Sequence, residues 1–143
     1  MADTALHDPS CIFCRIVAGQ IPAYKLYEDE QVLSFLDVGP LSEGHALVIP
    51  KAHYQTIDQM PEDLAAACMR PVPRLSRAVC EAVGVKTFNV LQNNGKLAHQ
   101  AVDHVHIHII PKTENAGLGV IWPSQELAEE KARDLQQRIA AAL

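Results

Sequence analysis

The sequence predicts an α+β fold: an antiparallel sheet whose strands run mostly consecutively, with helices inserted rather than alternating. Three observations carry this expectation. Short runs with period-two apolar alternation recur along the chain. Helical periodicity is confined to a few segments around them. The 143 residues, 48% hydrophobic and 20% charged, suit one globular domain.

Taken in order, residues 1–9 read as a loose tail. From Ser10, a candidate cap, "CIFCRIVAG" places Ile12, Ile16 and Phe13 along a short helix that stops at Gly19. "AYKLYED" and "QVLSFLDV" alternate around a polar break and read as a hairpin. "GHALVIP", ended by Pro50, supplies a third strand. "PEDLAAACMRPVPRLSRAVCEAVG" carries acids in its first turn and ends at Gly84, as a helix does. Pro71 and Pro73 in its middle remove backbone donors and predict a kink. "TFNVLQN" and "HVHIHIIP" give two more strands, and "SQELAEEKARDLQQRIAAAL" a terminal helix capped by Ser124. The chain holds no repeat or low-complexity tract.

The charge balance narrows the partners. A formal charge of −5 and a pI near 5.7 give no pull toward phosphate backbones or anionic lipid, so neither nucleic acid nor a membrane is expected. The first ten residues lack a signal-peptide pattern, and a cytoplasmic protein with access to the nucleus is expected. Four cysteines in such a chain read as thiols or metal ligands, and Cys11 and Cys14 are spaced to chelate a metal from one helical turn. Cys68 and Cys80 read as core.

"DHVHIHIIPK" sets the chemical question. On a strand His104, His106 and His108 share one face, while Val105, Ile107 and Ile109 enter the core. A merely polar surface would use simpler residues such as Thr. One metal held by all three is excluded by reach: His104 and His108 lie roughly 13 Å apart along a strand, whereas zinc–nitrogen bonds are about 2.0–2.1 Å. A chelate from two neighbours, or one bound histidine with the others free, stays open. Either way an imidazole is left for chemistry.

"HVHIHIIPK" resembles the signature of the histidine triad, or HIT, superfamily. The resemblance continues through "CIFCRIVAGQIPAYKLYED", "FLDVGPLSEGHALVIPKAHY" and "LQNNGKLAHQAVDH", covering about residues 10–112. Within that superfamily the chain is similar to the Hint branch of purine nucleotide phosphoramidases, in its fungal form. The resemblance implies a HIT domain over 10–112, a flexible tail over 1–9 and an extension with a helix over 113–143. It also implies a meander of five antiparallel strands with two main helices, and a homodimer with a continuous ten-stranded sheet.

The activity it implies is hydrolysis of the P–N bond of AMP, or a related purine nucleotide, linked to an amine. Such chemistry needs a nucleophile for phosphorus, donors for the nonbridging oxygens and an acid for the leaving group. Imidazole is a competent neutral nucleophile, with an ordinary pKa near 6.5. By match to the family, His106 attacks and carries a transient nucleotidyl group, His108 holds phosphate oxygens, and His104 completes the catalytic triad. Asn93, Gly95 and Gln100 match residues beside the phosphate, and Asp37 the acid that takes the ribose hydroxyls. Ile12, Phe13, Ile16, Ile21, Phe35, Leu36 and Val38 match the purine lining; by themselves they would be core. Zinc-bearing relatives use positions filled here by Cys11, Cys14, His53 and His104. That ion would be structural and not needed for the chemistry. A dinucleoside polyphosphate hydrolase and a non-catalytic nucleotide-binding module are the alternative readings.

The chain departs from the common pattern at His99, Ala101 and Asp103. The usual serine hydroxyl near the phosphate is missing at Ala101, and His99 is expected to supply a replacement donor. From Trp122 onward only close relatives are matched, and the helix there is expected to cover an edge or reach a partner chain.

Overall fold

The computed structural model describes residues 6–143; the part of the expected tail over 1–5 lies outside the described residues. Residue 6 onward is tied down, since the carbonyl of Leu6 accepts the His53 amide at 2.6 Å and that of Asp8 the Cys11 amide at 3.0 Å. The elements are α1 (Ile12–Val17), β1 (Lys25–Glu28), β2 (Val32–Leu36), β3 (Ala46–Pro50), α2 (Glu62–Met69), α3 (Val72–Val83), β4 (Thr87–Gln92), β5 (Ile107–Lys112) and α4 (Glu129–Ala142). The five strands form one antiparallel sheet in the order β1-β2-β3-β5-β4. The first three are a meander. β5 then inserts between β3 and β4, so the last hairpin returns toward the sheet centre and leaves β4 at the edge.

The two faces are covered differently. Val32, Ala46, Val48, Ile107 and Ile109 turn to one side and pack with Leu64, Cys68, Leu75 and Val79 of α2 and α3. Leu33, Phe35, Leu47 and Ile49 turn to the other and meet Phe13, Cys14 and Ile16 of α1. The second face is therefore closed by a helix over β2 and β3 only. The β5–β4 half of it holds His108, Ile110, Asn89 and Leu91, bounded on the outside by Leu118–Trp122.

Several boundaries differ from expectation, each for a physical reason. The expected kink at Pro71 and Pro73 is a break: α2 ends at Met69, and the prolines sit at the start of α3, where amides have no partner four residues back to lose. The cap of α1 is Cys11, not Ser10, whose amide and hydroxyl are taken by Asp8. With Cys11 and Cys14 turned inward, Phe13 and Ile16 are buried but Ile12 is 47% exposed. α4 is capped at Ala128 rather than Ser124; it buries no residue, so packing holds no extra turn, and Glu129 and Glu130 mark its start. The strand expected to include all three histidines begins at Ile107, because Val105 donates to the carbonyl of Tyr54 at 2.8 Å instead of to β3.

Two glycines shape the site. Gly44, at φ +87°, lies so close to α3 that a Cβ would come within 2.9 Å of Val83 and 3.1 Å of Val79. Gly117, at φ +109°, turns back over β5, where a Cβ would meet the Pro111 carbonyl at 2.6 Å. Its amide donates to Leu41 at 3.2 Å, which directs Leu118–Trp122 across the open half of the face.

Candidate active site and metal centre

The three histidines keep their alternation but not a solvated face. His104 is fully buried and His106 nearly so, with Val105, Ile107 and Ile109 buried on the opposite side. Phe13 is the wedge between them: its ring meets His104 edge-on at 5.8 Å and His106 at 5.2 Å between centroids. His104 lies on one side of this ring with the cysteines. His106 and His108, 4.8 Å apart, lie on the other.

On the first side, Nδ1 of His104 is 3.5 Å from Sγ of Cys11, 3.6 Å from Sγ of Cys14 and 3.2 Å from Nδ1 of His53; the Cys14 Sγ to His53 Nδ1 distance is 3.3 Å. Donors about 2.0–2.3 Å from a tetrahedral zinc lie roughly 3.3–3.8 Å from one another, so this spacing fits an ion-sized centre. Nε2 of His104 is 2.8 Å from the carbonyl of Pro50 and must donate to it, which turns the Nδ1 lone pair toward the sulfurs. Burial holds His104 down to about 4 and pushes the Cys14 thiol up to about 11. The neutral imidazole is the ligand form, and a divalent cation would draw the thiol proton off. Cys11, Cys14, His53 and His104 thus form a group that can hold a metal.

On the second side a cavity of about 750 Å³ is bordered by Asp37, His45, Asn93, His99, Ala101, His106 and His108 among others. Nδ1 of His106 is 2.7 Å from the backbone carbonyl of His104, which can only accept. The proton is therefore on Nδ1, and Nε2 keeps its lone pair for an electrophile. Burial is the main cause of its lowered pKa, so the neutral ring persists at physiological pH.

His45 sets the state of His108. The amide of Leu41 donates to Nδ1 of His45 at 3.0 Å, so the His45 proton must be on Nε2. That nitrogen is 2.9 Å from Nδ1 of His108, which accepts; the His108 proton is forced to Nε2. Burial, then the charges of His106 and His45, take His108 down to about 4. Burial likewise lowers His45, against the pull of Asp37. Although Asp37, His45 and His108 gather their donor atoms within 4.8 Å, the occupied nitrogens of His45 make this a hydrogen-bond relay rather than a cation site. Asp37 accepts the Gly39 amide through Oδ1 at 2.8 Å, while Oδ2 lies 3.6 Å from His45 Nε2.

The structure brings Asp37, Asn93, His106 and His108 to one cavity. Gln100 is buried behind it and staples the loop, accepting from Gly95 at 2.7 Å and donating to Gln55 and Val102 at 2.7 and 3.0 Å. Gly95 lies in the same loop at φ +91°. His104 presents no free nitrogen to the cavity; it acts there through its carbonyl. Phe13, Ile16 and Phe35 are core, with Ile21 at its margin. Leu36 is half-buried, and Ile12 and Val38 are exposed; none of these seven borders the cavity. Sequence reasoning missed His45 and Leu118–Trp122. An imidazole opening the apolar run "HALVIP" was the available signal for the first.

A family model for the HIT domain matches residues 18–115. The chain is 48% identical over 135 residues to the adenosine 5'-monophosphoramidase hnt1 of Schizosaccharomyces pombe, spanning 94% of this chain and 98% of that one. A HIT family protein from Bacillus anthracis is 40% identical with a TM-score of 0.90, over 94% and 98% of the two chains. A zinc-bound histidine triad family protein from Mycobacterium smegmatis is 36% identical with a TM-score of 0.70, over 93% and 95%. The fold, the paired histidine clusters and these likenesses converge, and the chain belongs to the HIT family.

Proposed function

We propose that the protein hydrolyses the P–N bond of AMP, or a related purine nucleotide, linked to an amine. The observation that carries this reading is the pair of fixed tautomers. His106 offers a bare Nε2 and His108, 4.8 Å away, offers an Nε2–H, a nucleophile and a donor side by side. Nε2 of His106 attacks the α-phosphorus and the P–N bond breaks. The amine departs with one proton taken from solvent at the cavity mouth, since neutral His108 has only the Nε2–H that steadies the oxygens and none to give. Water then attacks the phosphorus–histidine bond and AMP leaves. His108 steadies the nonbridging oxygens, Asn93 borders the same space, and Asp37 keeps Oδ2 for a ribose hydroxyl. The apolar residues matched to the purine lie in the core or outside this cavity, so the base would have to extend past Asp37 to reach any of them.

Zinc is the metal we assign to the Cys11, Cys14, His53 and His104 group, where it ties α1 to the sheet and takes no part in the reaction. The likeness to a zinc-bound relative supports that choice. A homodimer through β4 would extend the sheet to ten strands; β4 is one of its two edges, with Phe88 and Val90 each 43% exposed. The test is a rapid quench of the protein with an AMP amide, followed by mass analysis. A nucleotidyl group on His106 is expected, and steady turnover without any such adduct would refute the covalent route.

A further inference from the structure

The cavity has two unlike ends. Asp37 donates its amide to the His45 carbonyl at 2.9 Å, which places it at the β3 side next to His45 and His108. His106 follows. The loop joining β4 to β5 closes the opposite end, where His99 and Ala101 are the residues after Gly95 that border the cavity. With the ribose at Asp37 and attack at His106, the far end is where a leaving group extends.

His99 is unusual there in three respects. It is the one non-glycine residue with positive φ among the described residues, at φ 66° and ψ 27°. A side chain in that conformation costs about 1–3 kcal/mol and persists only where its surroundings fix it. They do: the His99 amide donates to Lys96 at 3.0 Å, the Gln100 amide to Gly95 at 3.1 Å, and Gln100 pins both sides of the loop. Second, its ring is exposed and makes no hydrogen bond among the described residues, whereas His45, His106 and His108 each have a committed nitrogen. Third, no lysine or arginine borders the cavity among the described residues. Asp37 repels anions and Leu118, Val120 and Ile121 offer none of them a donor. Asn89, Asn93 and Trp122 also bring an N–H to the cavity. In the β4–β5 loop, however, Asn93 is turned to the His99 carbonyl at 3.5 Å and assigned to the phosphate side, which leaves the His99 ring as the uncommitted donor for an acidic leaving group.

We infer that His99 is a specificity-determining residue, donating an imidazole N–H to an acidic oxygen on the leaving group and so favouring AMP joined to amines that carry a carboxylate. This rests on the phosphoramidase reading. The strain at His99 is offset by the loop hydrogen bonds, so its ring is held at the cavity before substrate arrives.

The test compares AMP joined through nitrogen to glycine with AMP joined to glycinamide, which differ in charge but hardly in shape. Wild type should favour the carboxylate by about ten- to a hundredfold in kcat/KM, the range for a hydrogen bond to a charged group. His99→Gly, which suits the backbone and so should leave the melting temperature unlowered, should bring the two substrates to parity. His99→Asn, which also tolerates this conformation and keeps an N–H, should retain part of the preference. Equal losses on both substrates would move His99 to the AMP moiety and overturn the inference, as would a preference that survives His99→Gly. Dissociation constants measured in a His106→Asn background read the same preference without turnover. Failure of wild type to cleave either amide would therefore sink the phosphoramidase reading, while an unchanged ratio of dissociation constants would sink this one.

Discussion

One segment, His104–His108, feeds two clusters of opposite design, divided by the ring of Phe13. On the cysteine side His104 has both nitrogens engaged, one by Pro50 and one by the Cys11, Cys14 and His53 group. On the cavity side His106 and His108 each have Nδ1 committed, one as donor and the other as acceptor. Three identical side chains at one spacing are thus left with different free atoms, a lone pair facing the cysteines, a bare Nε2 and an Nε2–H, according to what occupies the other ring nitrogen. The lesson is that protonation geometry is assigned by backbone groups: the carbonyls of Pro50 and His104 and the amide of Leu41 decide all three.

If the clusters are separate devices, each should break without the other. His106→Asn should lower turnover of an AMP amide by about four orders of magnitude or more, while metal content and melting temperature stay put. Comparable activity in that variant would dissolve the distinction. In the other direction, the native protein should carry about one zinc per chain, and Cys11→Ser should lose it. The melting temperature should then fall by about 10 °C, the scale for losing a ligand held far above its dissociation constant in a domain of this size. Turnover measured well below the new midpoint should drop no more than about tenfold, since the clusters are linked by the His104 carbonyl and the packing of Phe13 and share no reacting group. A metal assay showing no zinc in protein prepared without chelator would remove the first cluster from the argument.

How far the comparison was legible in sequence differs for its two halves. Alternation in "HVHIHII" correctly separated histidines from Val105, Ile107 and Ile109, because strand period is local. What covers the histidine face is not local: α1 buries His104 from some ninety positions away, and nothing within the triad encodes that. The Cys11–Cys14 spacing was readable as a chelate, and the structure brings His53 and His104 to it. The placement of β5 between β3 and β4 depends on pairing across the α2–α3 excursion, which periodicity cannot register. His45 escaped for a related reason. It looked like the first residue of an apolar strand, and its role follows only from a 2.9 Å contact across 63 residues.

The relay through His45 gives a finer way to probe the cavity side. His45→Phe keeps a ring in the buried slot but leaves Nδ1 of His108 without its donor, so the His108 proton is free to sit on the wrong nitrogen. A loss of about 10- to 100-fold in kcat is expected, the usual scale for removing a group that orients an active one. His45→Gln, able to accept from Leu41 and donate to His108, should recover part of it. Unchanged kcat in His45→Phe would mean the tautomer is set by something else.

The smallest effect expected is on stability in acid, and its sign follows from burial. Burial holds His108 at about 4 against an ordinary 6.5, and also lowers His106 and His45. Between those two pH values the unfolded chain binds protons that the native cavity refuses. The stabilising contribution is thus present in full above about pH 6.5 and drains away as pH falls toward 4. The lowered carboxylates, Glu28, Asp29 and Asp8, add to the loss only as pH nears their ordinary values, at the lower edge of this window. Urea midpoints at pH 7, 6 and 5 should therefore decline for the wild type, and decline less steeply for His108→Gln at matched metal content. The glutamine can still accept from His45 Nε2 but has no proton to gain. Because His104, His106 and His45 remain, only part of the slope should vanish. Parallel curves for the two proteins would show that His108 is accessible enough to titrate as it does in the unfolded chain, and the cavity side would then be wetter than the cysteine side by more than its geometry suggests.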